Sequence, residues 1–277
     1  MTTIQSTRAG RMLAVASGKG GVGKTWFAIS LAHVLAQQGR RVLLFDGDLG
    51  LANIDVQLGL TPALDLSAVV AGRSTVQGAA VAYPPGGFDV LAGRSGSGAL
   101  AALDPAALER VLSALRAADG YDHVVLDLGA GLDRSTRRMA AWSDTLLVIA
   151  TEEPTSLTDA YAVMKLHAAD QPQGDARFIV NLAGSPASGA RTFATLARAC
   201  TAFLGRTPPL AGVIRRDDRD AMRFGGKRCC KRAIQGRPLP WMSSGLPERC
   251  SDDAVASALR WRVPLPYSCR HYGRRAA

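Results

Sequence analysis

Eight consecutive residues, Gly18, Lys19, Gly20, Gly21, Val22, Gly23, Lys24 and Thr25, have the spacing G-x-x-x-x-G-K-[ST]. Glycines so spaced let backbone N–H groups turn inward around phosphate oxygens, and the start of a helix adds positive potential there. Lys24 then reaches the outer phosphates of a nucleoside triphosphate, and the Thr25 hydroxyl is a ligand for Mg²⁺. A functionless glycine-rich turn shares the composition, but not the full motif between a strand pattern and a helix pattern. Two acidic sites fit the same chemistry. Asp46 and Asp48 follow the apolar run Val42-Leu43-Leu44-Phe45, and Asp127 closes Val124-Val125-Leu126. A hydrophobic strand ending on an acid is the second element of phosphate-loop nucleotide sites. Each acid alone reads as a solvated turn residue; beside the glycine loop, the functional reading prevails.

These residues need a frame that brings strand ends together. Up to about residue 215, short apolar runs alternate with amphipathic stretches, which predicts a mostly parallel twisted sheet with helices on both faces. Strands are expected at residues 12–16, 41–45, 88–91, 123–127, 145–150, 178–181 and 210–214, and helices at 23–38, 105–118, 156–168 and 190–204. Asp104-Pro105 is a helix start, with a capping carboxylate and then proline in the first turn. Thr155 or Ser156 would cap the helix that follows. In a parallel α/β sheet the carboxyl ends of the strands share one edge, so Asp46, Asp48 and Asp127 converge on the glycine loop.

Composition narrows the function classes. The chain has 277 residues, 47% of them hydrophobic, enough for one large core. Residues 1–11 are polar, without the apolar stretch of a signal peptide, and no run approaches a membrane span; a cytoplasmic protein is expected. The formal charge of +10 suggests a nucleic-acid partner. Its distribution argues otherwise: 12 Lys and Arg against 3 Asp and Glu lie from Arg223 onward, which leaves the preceding residues close to neutral. Cys229, Cys230, Cys250 and Cys269 lie in the same tail without CxxC spacing, which disfavours zinc or iron–sulfur chemistry. The organisation expected is a polar extension (1–11), an ATPase domain (12–222) and an irregular basic Cys/Arg-rich tail (223–277).

Lys19 beside the first glycine turns the loop into a deviant Walker A box, and here the chain resembles the MinD/ParA superfamily of P-loop ATPases. The resemblance implies ATP and Mg²⁺ as ligands, slow turnover, and an ATP-dependent homodimer in which Lys19 contacts the nucleotide of the opposite subunit. It implies that Asp48 orients the attacking water and that Asp46 and Asp127 support Mg²⁺ together with Thr25. Gly129 and Gly131 would belong to a second switch, Asn181 would read adenine, and Asp217 would lie near the base. Two segments, Asp48 to Asp55 (DLGLANID) and Glu153 to Tyr161 (EPTSLTDAY), resemble the flagellar FlhG (FleN) branch, which controls the number and placement of flagella. The match runs from about Leu13 to Arg219. Partners implied are the GTPase FlhF and flagellar switch or regulatory proteins. The alternative is the same ATPase in division-site placement or in DNA or cargo partition. An iron–sulfur carrier on this fold would need a cysteine near the second switch, and the body holds only Cys200.

Departures from the family pattern set further expectations. Leu128 stands where the family has threonine, and Trp26 follows Thr25 where a small or polar residue is usual; either could alter turnover. The N-terminus lacks the segment with which relatives stimulate FlhF. Relatives also dock on lipid through a terminal amphipathic helix. The nearest stretch here, 254–263, is short, Ala-rich and stopped by Pro264, so peripheral membrane contact should be poor. The resemblance, the hydrophobic periodicity and the even charge balance all stop near Arg223. Read with a two-base offset, the adjacent cysteine codons of Cys229-Cys230 contain a leucine codon. The tail is therefore expected to be an out-of-frame translation, poorly packed; a genuine basic appendage is the alternative.

Overall fold

The computed structural model describes residues 10–93 and 104–216, together with the backbone of 221–224 and 227–230. Its centre is an eight-stranded sheet in the order β3-β4-β2-β5-β1-β6-β7-β8. The strands are β1 (Arg11–Ser17), β2 (Val42–Gly47), β3 (Val81–Tyr83), β4 (Phe88–Leu91), β5 (His123–Ala130), β6 (Thr145–Ala150), β7 (Ala176–Ala183) and β8 (Leu210–Arg215). Only β3, at one edge, is antiparallel to its neighbour. The seven expected strands are all present, and the parallel doubly covered sheet is the one the alternation implied.

Parallel strands sit between helical layers, so both of their faces are apolar. Met12, Ala14, Leu43, Phe45, Leu126, Leu146, Val148 and Phe178 point to one layer of the core. Leu13, Val15, Leu44, Val125, Leu147, Ile149 and Ile179 point to the other, against α1 (Lys24–Gln37). Three short helices follow β2: α2 (Ile54–Leu58), α3 (Leu66–Val70) and α4 (Val76–Ala79). The longer α5 (Pro105–Arg116), α6 (Arg134–Trp142), α7 (Pro154–Asp170) and α8 (Pro186–Leu204) pack on the first layer.

Asp104 caps α5 as its sequence suggests, accepting from the Ala107 N–H at 2.6 Å. The start of α7 differs from expectation. Pro154 takes the first helical position and Glu153 the capping position, while the Ser156 hydroxyl accepts instead from the Thr151 N–H at 2.9 Å. Proline prefers the first turn because its missing N–H is not needed there, and this draws the helix start upstream of Thr155. The unforeseen α6 has its own signal: the Asp133 side chain accepts from the Thr136 N–H at 3.0 Å. Residues 221–224 and 227–230 pair as an antiparallel ladder, where the sequence has neither a 2- nor a 3.6-residue period. Main-chain pairing needs no such period, since backbone N–H and C=O groups carry it. The stretch 254–263, the rest of the tail and Asp217 lie outside the described residues.

Candidate functional site

The chain leaves β1 for α1 and β2 on one side, and later crosses from β5 over β1 to β6 on the other. The loop after β1 thus sits where the winding direction reverses, the place where α/β sheets open a crevice for ligands. Residues 18–23 fill that loop, and Lys24 and Thr25 open α1. Gly21 and Gly23 have φ of +79° and +92°, a region in which a side chain would be strained. Val22 is buried and anchors the loop from beneath. Gly20 is open: an added Cβ would meet nothing within 4 Å. Gly18 is closed, since a Cβ there would lie 2.6 Å from the Asp159 carbonyl oxygen in α7.

Three carboxylates converge as expected. Asp46 and Asp127 are register partners on the adjacent strands β2 and β5, and both are buried. Burial pushes the Asp127 carboxyl up to about 7, opposed by a hydrogen bond from Thr25 and raised further by the negative charge of Asp46. Burial likewise pushes Asp46 up to about 6, opposed by backbone N–H donors from Ile54, Asn53 and Asp48. Lys24 is lowered by burial, and the nearby charges of Asp127 and Asp48 oppose that shift.

The carboxylates are not equivalent. Asp127 Oδ1 is buried without a hydrogen-bond partner. Both oxygens of Asp46 are engaged: Oδ1 accepts from the Asp48 N–H at 3.2 Å, and Oδ2 from the N–H groups of Asn53 and Ile54 at 2.9 and 3.0 Å. Asp46 therefore caps α2, which the Asn53 side chain does not, and ties down the loop that carries Asp48. Asp48 Oδ1 accepts from the Leu51 N–H at 3.0 Å, and a Cβ on Gly129 would lie 3.5 Å from its carboxylate. Gly131, with φ of +113°, donates its N–H to the Ser17 carbonyl at 3.1 Å. The loop after β5 is thus joined to the base of the glycine loop.

Asn181, two residues before the end of β7, lies under the glycine loop, where Nδ2 donates to the Val22 carbonyl at 2.8 Å and Oδ1 is buried without a partner. The next residue, Leu182, has φ of +56°, the one positive value at a non-glycine residue among the described residues. The β7–β8 register shifts between Val180 and Ala183, around this residue. No sequence pattern marks a leucine for that conformation. The two departures are also placed. Leu128 is buried in the layer that α5–α8 cover and packs against Gly47, so it does not face the loop. Trp26 packs at the margin of the other layer.

Lys19 lies at the rim of this site, not within it. Its amine donates to Glu153 Oε2 at 2.6 Å and to Thr155 Oγ1 at 2.9 Å. Both acceptors are in the segment 153–161, to which sequence reading assigned a branch resemblance and a helix start but no contact with the glycine loop.

Residues 13–225 match the model of the CobQ/CobB/MinD/ParA nucleotide binding domain. The chain belongs to this family. Among MinD/ParA relatives, the antiactivator FleN of Pseudomonas aeruginosa is 37% identical over 219 residues, which cover 79% of this chain and 78% of that protein. The flagellum site-determining protein YlxH of Helicobacter pylori is 31% identical over 188 residues, 67% of this chain and 63% of YlxH. The septum site-determining protein MinD from Pyrococcus horikoshii, solved in complex with Mg-ADP, superposes with a TM-score of 0.61 at 26% identity, over 75% of this chain and 82% of that one. The deviant glycine loop, the paired acids of β2 and β5 and the parallel sheet are thus features of a MinD/ParA protein. Among the described residues no helix is long and apolar enough to cross a membrane.

Proposed function

We propose that this protein is an ATP-hydrolysing switch that dimerises when ATP is bound and sets the number or placement of flagella. The observation that carries the reading is the convergence of Lys24, Thr25, Asp127 and Asp48 on one glycine loop, with a second lysine, Lys19, at its outer rim. The likeness to FleN and YlxH supports the flagellar role. The likeness to MinD supports the nucleotide chemistry and leaves division-site placement, or DNA or cargo partition, as the second reading.

In this mechanism the N–H groups of residues 20–25 and the Lys24 amine bind the phosphates of ATP. Thr25 and Asp127 would hold Mg²⁺, Asp127 through its water shell, and the unpartnered buried Oδ1 of Asp127 fits that duty. Mg²⁺ held there would supply positive charge to offset the negative charge that develops on the phosphates. It would also draw the Asp127 carboxyl to its ionised form. Asp46 contributes negative charge beside Asp127 and, through its backbone N–H partners, holds the Asp48 loop. Asp48 orients water for attack on the outer phosphorus; the bond to the ADP oxygen breaks, and ADP and phosphate leave. Asn181 braces the loop through Val22, and its free Oδ1 suits the exocyclic amine of adenine. Gly129 lies against Asp48 and Gly131 is bonded to Ser17, so loss of the outer phosphate can pass to the loop after β5.

The Lys19 amine is turned away from the loop onto Glu153 and Thr155, which supports a role across a dimer. Light scattering of Asp48→Ala with and without ATP tests this: a monomer without nucleotide and a dimer with ATP are expected, and Lys19→Ala should stay monomeric. A monomer under both conditions refutes the dimer. Flagellar counts in cells that carry Lys24→Ala test the cellular role, and normal counts with displaced division septa would favour the second reading.

A further inference from the structure

The segment 153–161 and the glycine loop touch at two independent places. Gly18 is so close to Asp159 that no Cβ fits between them. One residue on, Lys19 folds back onto the start of α7, where Glu153 and Thr155 take two of its three N–H donors. The Ser17 hydroxyl holds the Lys19 carbonyl at 2.6 Å, so the backbone is fixed and the side chain alone remains free to choose its partner.

The electrostatics of this resting place are uneven. The first turn of a helix carries positive potential, which disfavours a cation and favours an anion. Lys19 thus sits at the wrong end of α7, retained there by the Glu153 carboxylate. The pair is open to solvent, with side-chain exposures of 37% and 64%, so it can break at little cost. Glu153 would not be stranded by that release. The positive charge of Arg216 also acts on its carboxyl, and Arg216 is fixed at the end of β8 by its N–H bond to the Ala183 carbonyl at 2.9 Å.

We propose that Glu153 and Thr155 are a latch for Lys19: each subunit holds its intersubunit lysine on its own α7, and dimerisation requires this pair to open. The inference rests on the reading of Lys19 as the lysine that crosses to the partner. A triphosphate in the opposite subunit then competes with Glu153 for one amine, and the latch sets the ATP and protein concentrations at which the dimer forms. It also gives the segment 153–161 a task beyond starting a helix.

Two measurements on the full chain test it. The first is amine acylation of the nucleotide-free protein, read at Lys19 by mass spectrometry. Glu153→Gln should raise the rate at Lys19 by about two- to fivefold, the range of an exposed ion pair, and leave the exposed Lys165 unchanged. The second is the dimer dissociation constant with ATP in the Asp48→Ala background. With two latches per dimer, Glu153→Gln should tighten it by roughly 2- to 30-fold, and Thr155→Val should act in the same direction more weakly. An unchanged labelling rate overturns the latch, as does a dimer that Glu153→Gln weakens or leaves unaltered. Absence of an ATP-dependent dimer in every background overturns the dimerisation reading, and the latch with it.

Discussion

Three glycines of one loop should fail for three different reasons, and alanine substitution separates them. At Gly18 the new Cβ would lie 2.6 Å from the Asp159 carbonyl oxygen and 2.7 Å from the Asp159 Cβ. Both belong to a helix that cannot yield locally, so β1 and α7 must move apart. Overpacking of this kind costs about 1–3 kcal/mol, which for a domain of this size lowers Tm by roughly 2–12 °C. At Gly23 the φ of +92° imposes a left-handed strain of about 1–2 kcal/mol on alanine. Its Cβ would also lie 2.5 Å from Asn181 Nδ2, and displacing that amide breaks the bond to Val22, a further ~1 kcal/mol. At Gly20 nothing lies within 4 Å and φ is not positive. Gly20→Ala should therefore leave the nucleotide-free protein within about 0.5 kcal/mol of wild type, yet reduce ATP affinity by intruding on the phosphate cradle. The assay is thermal unfolding without nucleotide, paired with calorimetric titration of ATP. Gly18→Ala and Gly23→Ala should lose both stability and affinity, and Gly20→Ala affinity alone. A Gly20→Ala protein that melts as early as Gly18→Ala would refute the assignment of these glycines to packing, strain and phosphate approach respectively.

Further outcomes follow from the same geometry. Lys24→Ala should abolish ATP binding by equilibrium dialysis, whereas Asp48→Ala should keep it and stop phosphate release; equal loss of affinity in both contradicts their separate roles. Asp127 and Asp46 have carboxyl groups raised to about 7 and about 6, so the folded protein binds more protons than the unfolded chain. The sign is that these acids cost stability progressively as pH rises from about 4 to 7, by at most about 1.4 kcal/mol per pH unit each. In nucleotide-free melts Asp127→Asn should exceed wild type in Tm above pH 7, with the advantage shrinking as pH falls and gone only below about pH 4; a constant difference across that range would rule the titration out. Resequencing the 3′ end of the gene, with intact-mass measurement of the cellular protein, should reveal a frame change near codon 223. An unbroken frame with this tail present in the cell would refute it.

What could be read from the sequence was whatever depends on local spacing. The glycine loop is contiguous, and the run 124–127 combines a buried strand with a terminal acid, so their convergence follows from parallel pairing alone. The β3 strand and α2–α4 span three to five residues each, too few for a hydrophobic period to appear. The α6 helix was overlooked because Arg134, Arg137 and Arg138 dilute its apolar positions; Asp133 and Thr136 held the missed capping signal. Nothing local marks Asp46 as the cap of α2, because its donors lie seven and eight residues away. The contact of Lys19 with Glu153 spans 134 positions and arises only when β1 and β6 become neighbours.

That last point bears on how the two branch-like segments work. DLGLANID and EPTSLTDAY are distant in sequence, yet each follows a strand at the same edge of the sheet, and each contacts a different part of the catalytic loop system. The first carries Asp48, held by Asp46 from below. The second carries Glu153 and Thr155 at the Lys19 amine and Asp159 at Gly18. A substitution in either can alter when the site closes without touching a phosphate ligand, which is the kind of change that divergence of function within one ATPase fold requires. The departure at Leu128 illustrates the converse. Strand alternation sends its side chain into the core while Asp127 and Gly129 face the site. A threonine at that position would point the same way, so Leu128 removes no ligand from the phosphate cradle. Leu128→Thr should therefore leave ATP affinity unchanged.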